Sequence, residues 1–368
     1  MSDFYIGLMS GTSLDGVSAA IVDFSNEKPR LVETYHEAYL PDFRQRLLAL
    51  TFPGENEIER LGLVDRELGE KLAEIVLKLI AKSGLTIRAI AAVGSHGQAI
   101  RHRPDAAYPF TLQIGDPNTI VSKTGLTTVA DFRRADIALG GQGAPLAPAF
   151  HPLLFANPKE VRVVLNIGGI ANITVLDPEN VVKGFDTGPG NRLLDDWIEH
   201  ALHQSFDKDG SFARKGRVDE ALLKLLLDEP YFSQNFPKST GRELFNFSWL
   251  QKKLKKSDRV FAPEDVQATL VAFTAKTIAA AIETVAPKTT NVIVCGGGVH
   301  NTFLLEQLSE NLKSQKVKSA AHFGFDPDWV EAAAFAWLAK QTLENKPGNL
   351  PSVTGAKRPA VLGGVWRA

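Results

Sequence analysis

The chain has a single cysteine, Cys295, in 368 residues. No intrachain disulfide can form, which fits a reducing compartment. Net charge is also nearly absent: 41 Lys and Arg against 42 Asp and Glu leave −1. There is no bulk field to recruit nucleic acid or an anionic membrane, although a local basic pocket is still allowed. The N-terminal stretch has no basic flank followed by an apolar core, so no signal peptide is read. No apolar run is expected to approach membrane-spanning length. Low-complexity segments and coiled-coil heptads are missing too. These absences point to a cytoplasmic protein without a nucleic-acid or membrane partner. What is present is ordinary for a globular chain, with 44% apolar and 23% charged residues. The length exceeds what one core usually holds, so two domains are expected.

A short glycine-rich turn between two apolar strands occurs twice. Phe4 to Ser10 runs into Gly11-Thr12-Ser13-Leu14-Asp15-Gly16 and then Val17 to Asp23. Val161 to Ile167 runs into Gly168-Gly169-Ile170-Ala171-Asn172 and then Ile173 to Asp177. Each copy reads as a β-hairpin with an Asp near the end of its second strand. Two such hairpins, far apart in the chain, suggest two halves of related build. Glycine lets backbone N–H groups approach an anion closely, and hydroxyls add donors. The first turn reads either as a phosphate loop or as a plain Asp-Gly hairpin turn. It is neither a Walker A loop nor a dinucleotide fingerprint, because no Gly-Lys-Ser/Thr follows and the next element is a strand.

Around these hairpins the pattern predicts a third strand over 30–40 and helices over 42–50 and 56–83, the latter stopped by Gly84. Ile90 to Gly94 and Thr127 to Ala130 read as short buried parallel strands. Gly140 to Pro145 reads as a hinge or cleft loop. A strand over 181–185 is expected to end at Asp186, with helices over 193–203 and 220–227 after it. Pro263 to Ala286 predicts a long helix with a capping-type start. Asn291 to Cys295 predicts a strand, Thr302 to Leu312 a helix, and Asp328 to Leu343 a last long helix. The tail after Pro347 is expected to wrap back over the first half. Alternating strands, hairpins and helices define a mixed α/β class.

Several constellations carry chemistry on this map. In the first turn Thr12 and Ser13 offer hydroxyls, and Asp15 faces a metal or a water. In the second, Asn172 adds a polar group. Gly296-Gly297-Gly298, between a strand and a helix, suits a flat ligand such as adenine, or else a tight turn. Asn301 reads equally as a ligand contact or a helix cap. Asp186, at the mouth of a glycine-rich loop, suits a general base acting on a water or hydroxyl. His96, Gln98, Arg101, His102 and Arg103 form one polar cluster, and Arg133, Arg134 and Asp136 another. Both read as small-molecule recognition or as solvated loop charge. Lys238 to Glu243 is a substrate loop or an ordinary connection, and Glu331 a cleft or surface carboxylate.

Taken together, the two hairpins and the strand-GlyGlyGly-helix unit resemble the actin/hexokinase/Hsp70 superfamily. The resemblance narrows through Met9 to Gly16, Gly94 to Gln98, Asp131 to Asp136, Gly140 to Pro145, Asn166 to Gly169, Gly184 to Asn191 and Lys238 to Arg242. These motifs, in order along nearly the whole chain, resemble the anhydro-N-acetylmuramic acid kinase family. The resemblance implies two ribonuclease-H-like lobes of mixed β-sheet flanked by helices, with ATP in the interdomain cleft. It places the lobes at 1–133 plus 347–368 and at 134–346. It implies an ATP- and magnesium-dependent kinase of peptidoglycan recycling that converts 1,6-anhydro-N-acetylmuramic acid and water to N-acetylmuramic acid 6-phosphate. Asp186 matches the family's catalytic base. Gly11, Thr12, Ser13, Leu14, Asp15, Gly16, Val17 and Ser18 match its ATP loop. Gly168, Gly169, Asn172, Gly296, Gly297, Gly298 and Asn301 are expected to bind nucleotide, and His96, Gln98, Arg133 and Glu331 to meet the sugar. Magnesium is expected near Asp15 and Asp186, and the family is typically dimeric. The competing readings are a nucleotide-gated ATPase and a phosphoanhydride hydrolase of the same superfamily.

Overall fold

The computed structural model describes residues 3–11, 13–236 and 238–368. In chain order its strands are β1 (Phe4–Met9), β2 (Gly16–Asp23), β3 (Arg30–Ala38), β4 (Ile90–Ser95), β5 (Gln98–Arg103), β6 (Phe110–Ile114), β7 (Thr128–Ala130), β8 (Arg162–Ile167), β9 (Ile170–Leu176), β10 (Lys183–Pro189), β11 (Asn291–Cys295), β12 (Lys316–Ser319) and β13 (Gly364–Trp366). The chain divides into two units, residues 1–154 with 329–368 and residues 155–328. The expected lobe boundaries differ from this division, since residues 134–154 and 329–346 fall in the first unit.

The first unit is built on a sheet of order β13-β7-β4-β1-β2-β3. β1, β2 and β3 form an antiparallel meander; β4 adds to β1 and β7 to β4, both in parallel. Alternation along β1 decides what covers each face. Ile6 and Leu8 join Leu68, Leu72 and Leu79 of the helix Glu57–Ser83 in one core. Gly7 points the other way, where a Cβ would lie 1.8 Å from the Ala332 carbonyl oxygen. At Gly94 of β4 it would lie 2.0 Å from the Phe335 oxygen. The helix Val330–Leu343 therefore lies backbone-close on β1 and β4, which assigns it to the first unit. Gly84 ends the helix Glu57–Ser83 with φ 71°, as expected.

The tail does return to this unit, where Gly364–Trp366 pairs antiparallel with β7. Asp136, fully buried, fastens it. Its carboxylate accepts from Asn349 Nδ2 at 2.6 Å, Thr354 Oγ1 at 2.7 Å and Gly143 N at 2.7 Å. Asp136 is thus a structural anchor for the tail and the Gly140–Pro145 loop, not a solvated charge.

The second unit has a sheet of order β10-β9-β8-β11-β12. It repeats the first layout: an antiparallel meander of β8, β9 and β10, with β11 and β12 added in parallel beside β8. The shared layout is the fold-level counterpart of the repeated hairpin. The helix Pro263–Val285 is long and apolar enough to cross a membrane by length and composition. That corrects the expectation of no such run. Most of its side chains, from Val266 to Ile282, are buried in the core of this unit with Val163, Leu165 and Val294. Its start has Pro263 at the first position and no side-chain cap, contrary to the expected capping.

Several elements went unread, among them a ribbon and two helices. Gln98–Arg103 pairs with Phe110–Ile114 as a separate two-stranded ribbon. The helix Pro117–Thr124 starts at Asp116, whose carboxylate accepts from Asn118 N and Thr119 N. The helix Phe247–Lys256 is capped by Asn246.

Candidate functional site

The chemistry-bearing residues fall into a group in each unit. In the first unit the turn after β1 closes with Leu14 N donating to Gly11 O at 3.3 Å. Leu14 adopts φ 55° and buries its side chain, and Val17 is buried as well. Those two can offer a ligand only their backbone. Ser18 Oγ sits 3.3 Å from His36 Nδ1. Gly16 is required where it stands, since a Cβ there would meet Glu37 O at 2.3 Å. Asp15 is exposed, and Ser13 Oγ donates to its Oδ1 at 2.6 Å. Thr12 lies outside the described residues.

Behind this turn is a buried polar network that sequence reading missed at its centre, Ser10. Ser10 Oγ is 2.5 Å from Gln98 Oε1, 3.0 Å from Gly16 O and 2.8 Å from Tyr39 Oη. Gln98 Nε2 donates to Gly11 O at 3.2 Å. Gln98, expected to meet substrate, therefore spends both ends of its amide on the turn. Burial raises the Tyr39 hydroxyl pKa, so it stays a neutral donor.

His96 Nδ1 lies 3.0 Å from Ser10 O. A carbonyl only accepts, so Nδ1 carries the proton and Nε2 is the acceptor. Arg133 donates to that Nε2 from Nε at 3.1 Å and Nη2 at 2.9 Å, and to Gly143 O from Nη1 at 2.8 Å. Burial, reinforced by the Arg133 charge, pushes the His96 pKa down to about 3. Glu331, near the start of its helix, is partly buried, and burial raises its carboxyl pKa while the Arg133 charge opposes the rise. The structure thus brings His96, Arg133 and Glu331 together.

In the second unit Asp186 does not end a strand. It lies within β10, because a bulge between Asp186 and Gly188 lets pairing continue to Pro189. Register aligns Asp186 with Asn172 of β9, Asn166 of β8 and Cys295 of β11. The Asp186 residue is 7% exposed. Three partners from a distant segment hold it. Thr240 N donates to Oδ2 at 2.9 Å, Asp186 N donates to Lys238 O at 3.2 Å, and Tyr231 Oη donates to Asp186 O at 2.6 Å. Burial and the Asp186 charge raise the Tyr231 pKa. Burial lowers that of Lys238, whose Nζ donates to Tyr231 O at 3.0 Å. The Lys238–Glu243 segment is therefore the cradle of Asp186. Asn172 Oδ1 and Thr240 Oγ1 are buried without a hydrogen-bond partner among the described residues.

The second glycine turn is shorter than expected. Only Gly168 and Gly169 lie outside the strands, and Asn172 sits in β9. Gly190 N and Arg192 N donate to Gly169 O, and Asn191 N to Gly168 O. This seats the start of the helix Arg192–Leu202 against the turn. In the three-glycine run, a Cβ at Gly296 would meet Asn166 Oδ1 at 2.4 Å and one at Gly298 would meet Ile167 Cγ2 at 2.3 Å. Packing on β8 explains both; Gly297 alone is open, with nothing nearer than 3.9 Å. Asn301 resolves to the cap, accepting from Leu304 N at 3.0 Å with Oδ1.

Comparison with known proteins completes the picture. A family model described as anhydro-N-acetylmuramic acid kinase matches residues 3–368. A curated relative of that name from Coxiella burnetii (strain RSA 493 / Nine Mile phase I) is 50% identical over 98% of this chain and 97% of its own. One from Shewanella sp. (strain MR-4) is 50% identical over 99% of both chains. Among solved structures, the chain is similar to the activator of the 2-hydroxyisocaproyl-CoA dehydratase from Clostridium difficile with bound ADPNP. The TM-score is 0.44 at 14% identity, covering 93% of this chain and 97% of that one. With a family match over nearly its whole length and relatives this close, the chain belongs to the anhydro-N-acetylmuramic acid kinase family.

Proposed function

We propose that the chain is an ATP-dependent sugar kinase that converts 1,6-anhydro-N-acetylmuramic acid and water to N-acetylmuramic acid 6-phosphate in peptidoglycan recycling. The observation that carries this reading is Asp186, a buried carboxylate oriented by Thr240 N–H beside Asn172. The anhydro bridge joins C1 to O6, so O6 has no proton to give up. Asp186 takes a proton from a water as that water attacks C1. The C1–O6 bond breaks, its electron pair stays on O6, and O6 attacks the γ-phosphorus in line. The β–γ bridging oxygen leaves with ADP. Most of the protein's task in such a transfer is to position and to spread charge.

In this reading Gly11, Ser13, Asp15 and Gly16 of the first unit serve the phosphates of ATP. So do Gly168 and Gly169 of the second, with Gly297 beside the nucleoside. Arg133 and Glu331 meet the sugar. Among the described residues no three His, Cys, Asp or Glu side chains group as a metal site. Asp15 and Asp186 stand as single hard carboxylates, which fits Mg²⁺, since that ion is commonly held by one or two carboxylates with phosphate and water. Bound there with ATP, the ion would neutralise phosphate charge. The reading extends to a homodimer in the cytoplasm, with neither nucleic acid nor membrane as partner.

A coupled assay of ADP release tests the function. ATP consumption that requires the anhydro-sugar supports it. Sugar-independent hydrolysis would favour a phosphoanhydride hydrolase or a nucleotide-gated ATPase instead. Asp186→Asn should keep nucleotide affinity and lose turnover by about 10²–10⁴-fold or more. Near-normal turnover in that variant would remove Asp186 from the mechanism.

A further inference from the structure

The carbonyl groups at the start of the first glycine turn are tied back into their own unit. Ser10 O accepts from His96 Nδ1, Gly11 O accepts from Gln98 Nε2, and Gly16 O lies 3.0 Å from Ser10 Oγ. In a trans peptide the carbonyl and the following N–H point in opposite directions. Fixing Ser10 O on His96 therefore turns the Gly11 N–H to the far side. Gly11 is also uncrowded at its own Cα, where a Cβ would lie 3.8 Å from Ser13 Oγ. With the Ser10 carbonyl held behind it, the start of the turn presents the Gly11 N–H in front, the kind of donor an anion needs. Every side-chain polar atom of His96 and Gln98 already has a partner within this unit. Both His96 nitrogens are engaged, Nδ1 by Ser10 and Nε2 by Arg133, and Gln98 Oε1 and Nε2 both serve the turn.

We propose that His96 and Gln98 are positioning residues of the nucleotide-phosphate turn, acting on ATP through Ser10 and Gly11 rather than touching the sugar. This rests on the kinase reading for the identity of the anion. Each tie is a buried hydrogen bond whose loss frees the turn to rotate. One such bond is worth about 0.5–1.5 kcal/mol, about 2–10-fold in affinity.

The test uses the full-length chain and direct ATP binding by calorimetry, alongside steady-state kinetics. Gln98→Leu and His96→Leu should each weaken ATP binding by about 2–10-fold, or somewhat more, and leave the KM for the anhydro-sugar within about twofold. His96→Asn restores an N–H donor toward Ser10 O and should recover most of the affinity, which a merely structural role would not require. If Gln98→Leu does not melt cooperatively, Gln98→Glu carries the test. It keeps the acceptor for Ser10, removes the donor to Gly11 and should weaken ATP alone. A raised sugar KM with unchanged ATP binding would overturn the proposal, as would variants with both constants unchanged. ATP binding is read without turnover. Absence of sugar-dependent activity in the unmodified chain would therefore sink the kinase reading while leaving this proposal to stand or fall on its own data.

Discussion

His151 offers a pH test in which one side chain can be isolated. It is 1% exposed, and burial pushes its pKa down to about 3. In the unfolded chain a histidine titrates near 6.5. Below about pH 6.5 the unfolded state therefore binds a proton that the native state refuses. Stability is lost as pH falls from about 6.5 toward 3, and the term is flat above. Between pH 7 and pH 5 this one residue should remove about 2 kcal/mol, since each pH unit below the unfolded pKa is worth about 1.4 kcal/mol. His96, 5% exposed, contributes with the same sign in the same window. Carboxyls held high by burial, such as Glu331 and Asp196, work in the opposite direction. The clean reading is therefore a difference: urea unfolding of the unmodified chain and of His151→Phe at pH 7 and at pH 5. The variant's absolute stability does not matter. Its loss on acidification should be smaller by about 2 kcal/mol. Equal losses in the two proteins would refute the burial of a neutral imidazole at this position.

Other expected outcomes follow from packing and capping. Gly7→Ala forces a Cβ into the Ala332 carbonyl and should cost about 1–3 kcal/mol or more, read as a lower denaturant midpoint. Asp136→Ala removes the acceptor for Asn349, Thr354 and Gly143 and should destabilise by about 3 kcal/mol or more, with earlier proteolytic cleavage of the tail after Pro347. Asn301→Ala should cost about 0.5–2 kcal/mol through the lost cap and leave the ATP affinity unchanged, because its side-chain oxygen caps the helix Thr302–Asn311. A large loss of affinity there would return Asn301 to the nucleotide.

The two hairpins, the buried strands and the Gly84 stop were legible because each rests on local pattern: period-two alternation, short apolar runs and a left-handed glycine. The equivalence of the two sheets was legible for the same reason, from matching flanks around matching turns. Asp186 was expected at a strand end, and the structure places it inside β10. Gly184-Phe185-Asp186-Thr187-Gly188-Pro189 looks like a breaker, and only the bulge shows why it stays paired. The cradle around Asp186 was not legible, since Tyr231 and Thr240 come from 45 and 54 residues away. The ribbon of β5 and β6 was hidden by its Arg and His content, which read as a recognition cluster. The helix Val330–Leu343 was assigned to the wrong lobe because chain order placed it there. What moves it is the missing Cβ at Gly7 and Gly94, a close approach no periodicity reveals.

The proposed reaction is tested most directly by running turnover in ¹⁸O-labelled water and locating the label in the product by mass spectrometry. The account predicts ¹⁸O in the hydroxyl at the anomeric carbon and phosphate carried on an unlabelled O6. Label in inorganic phosphate, or a phosphorylated sugar with no label at C1, would contradict it.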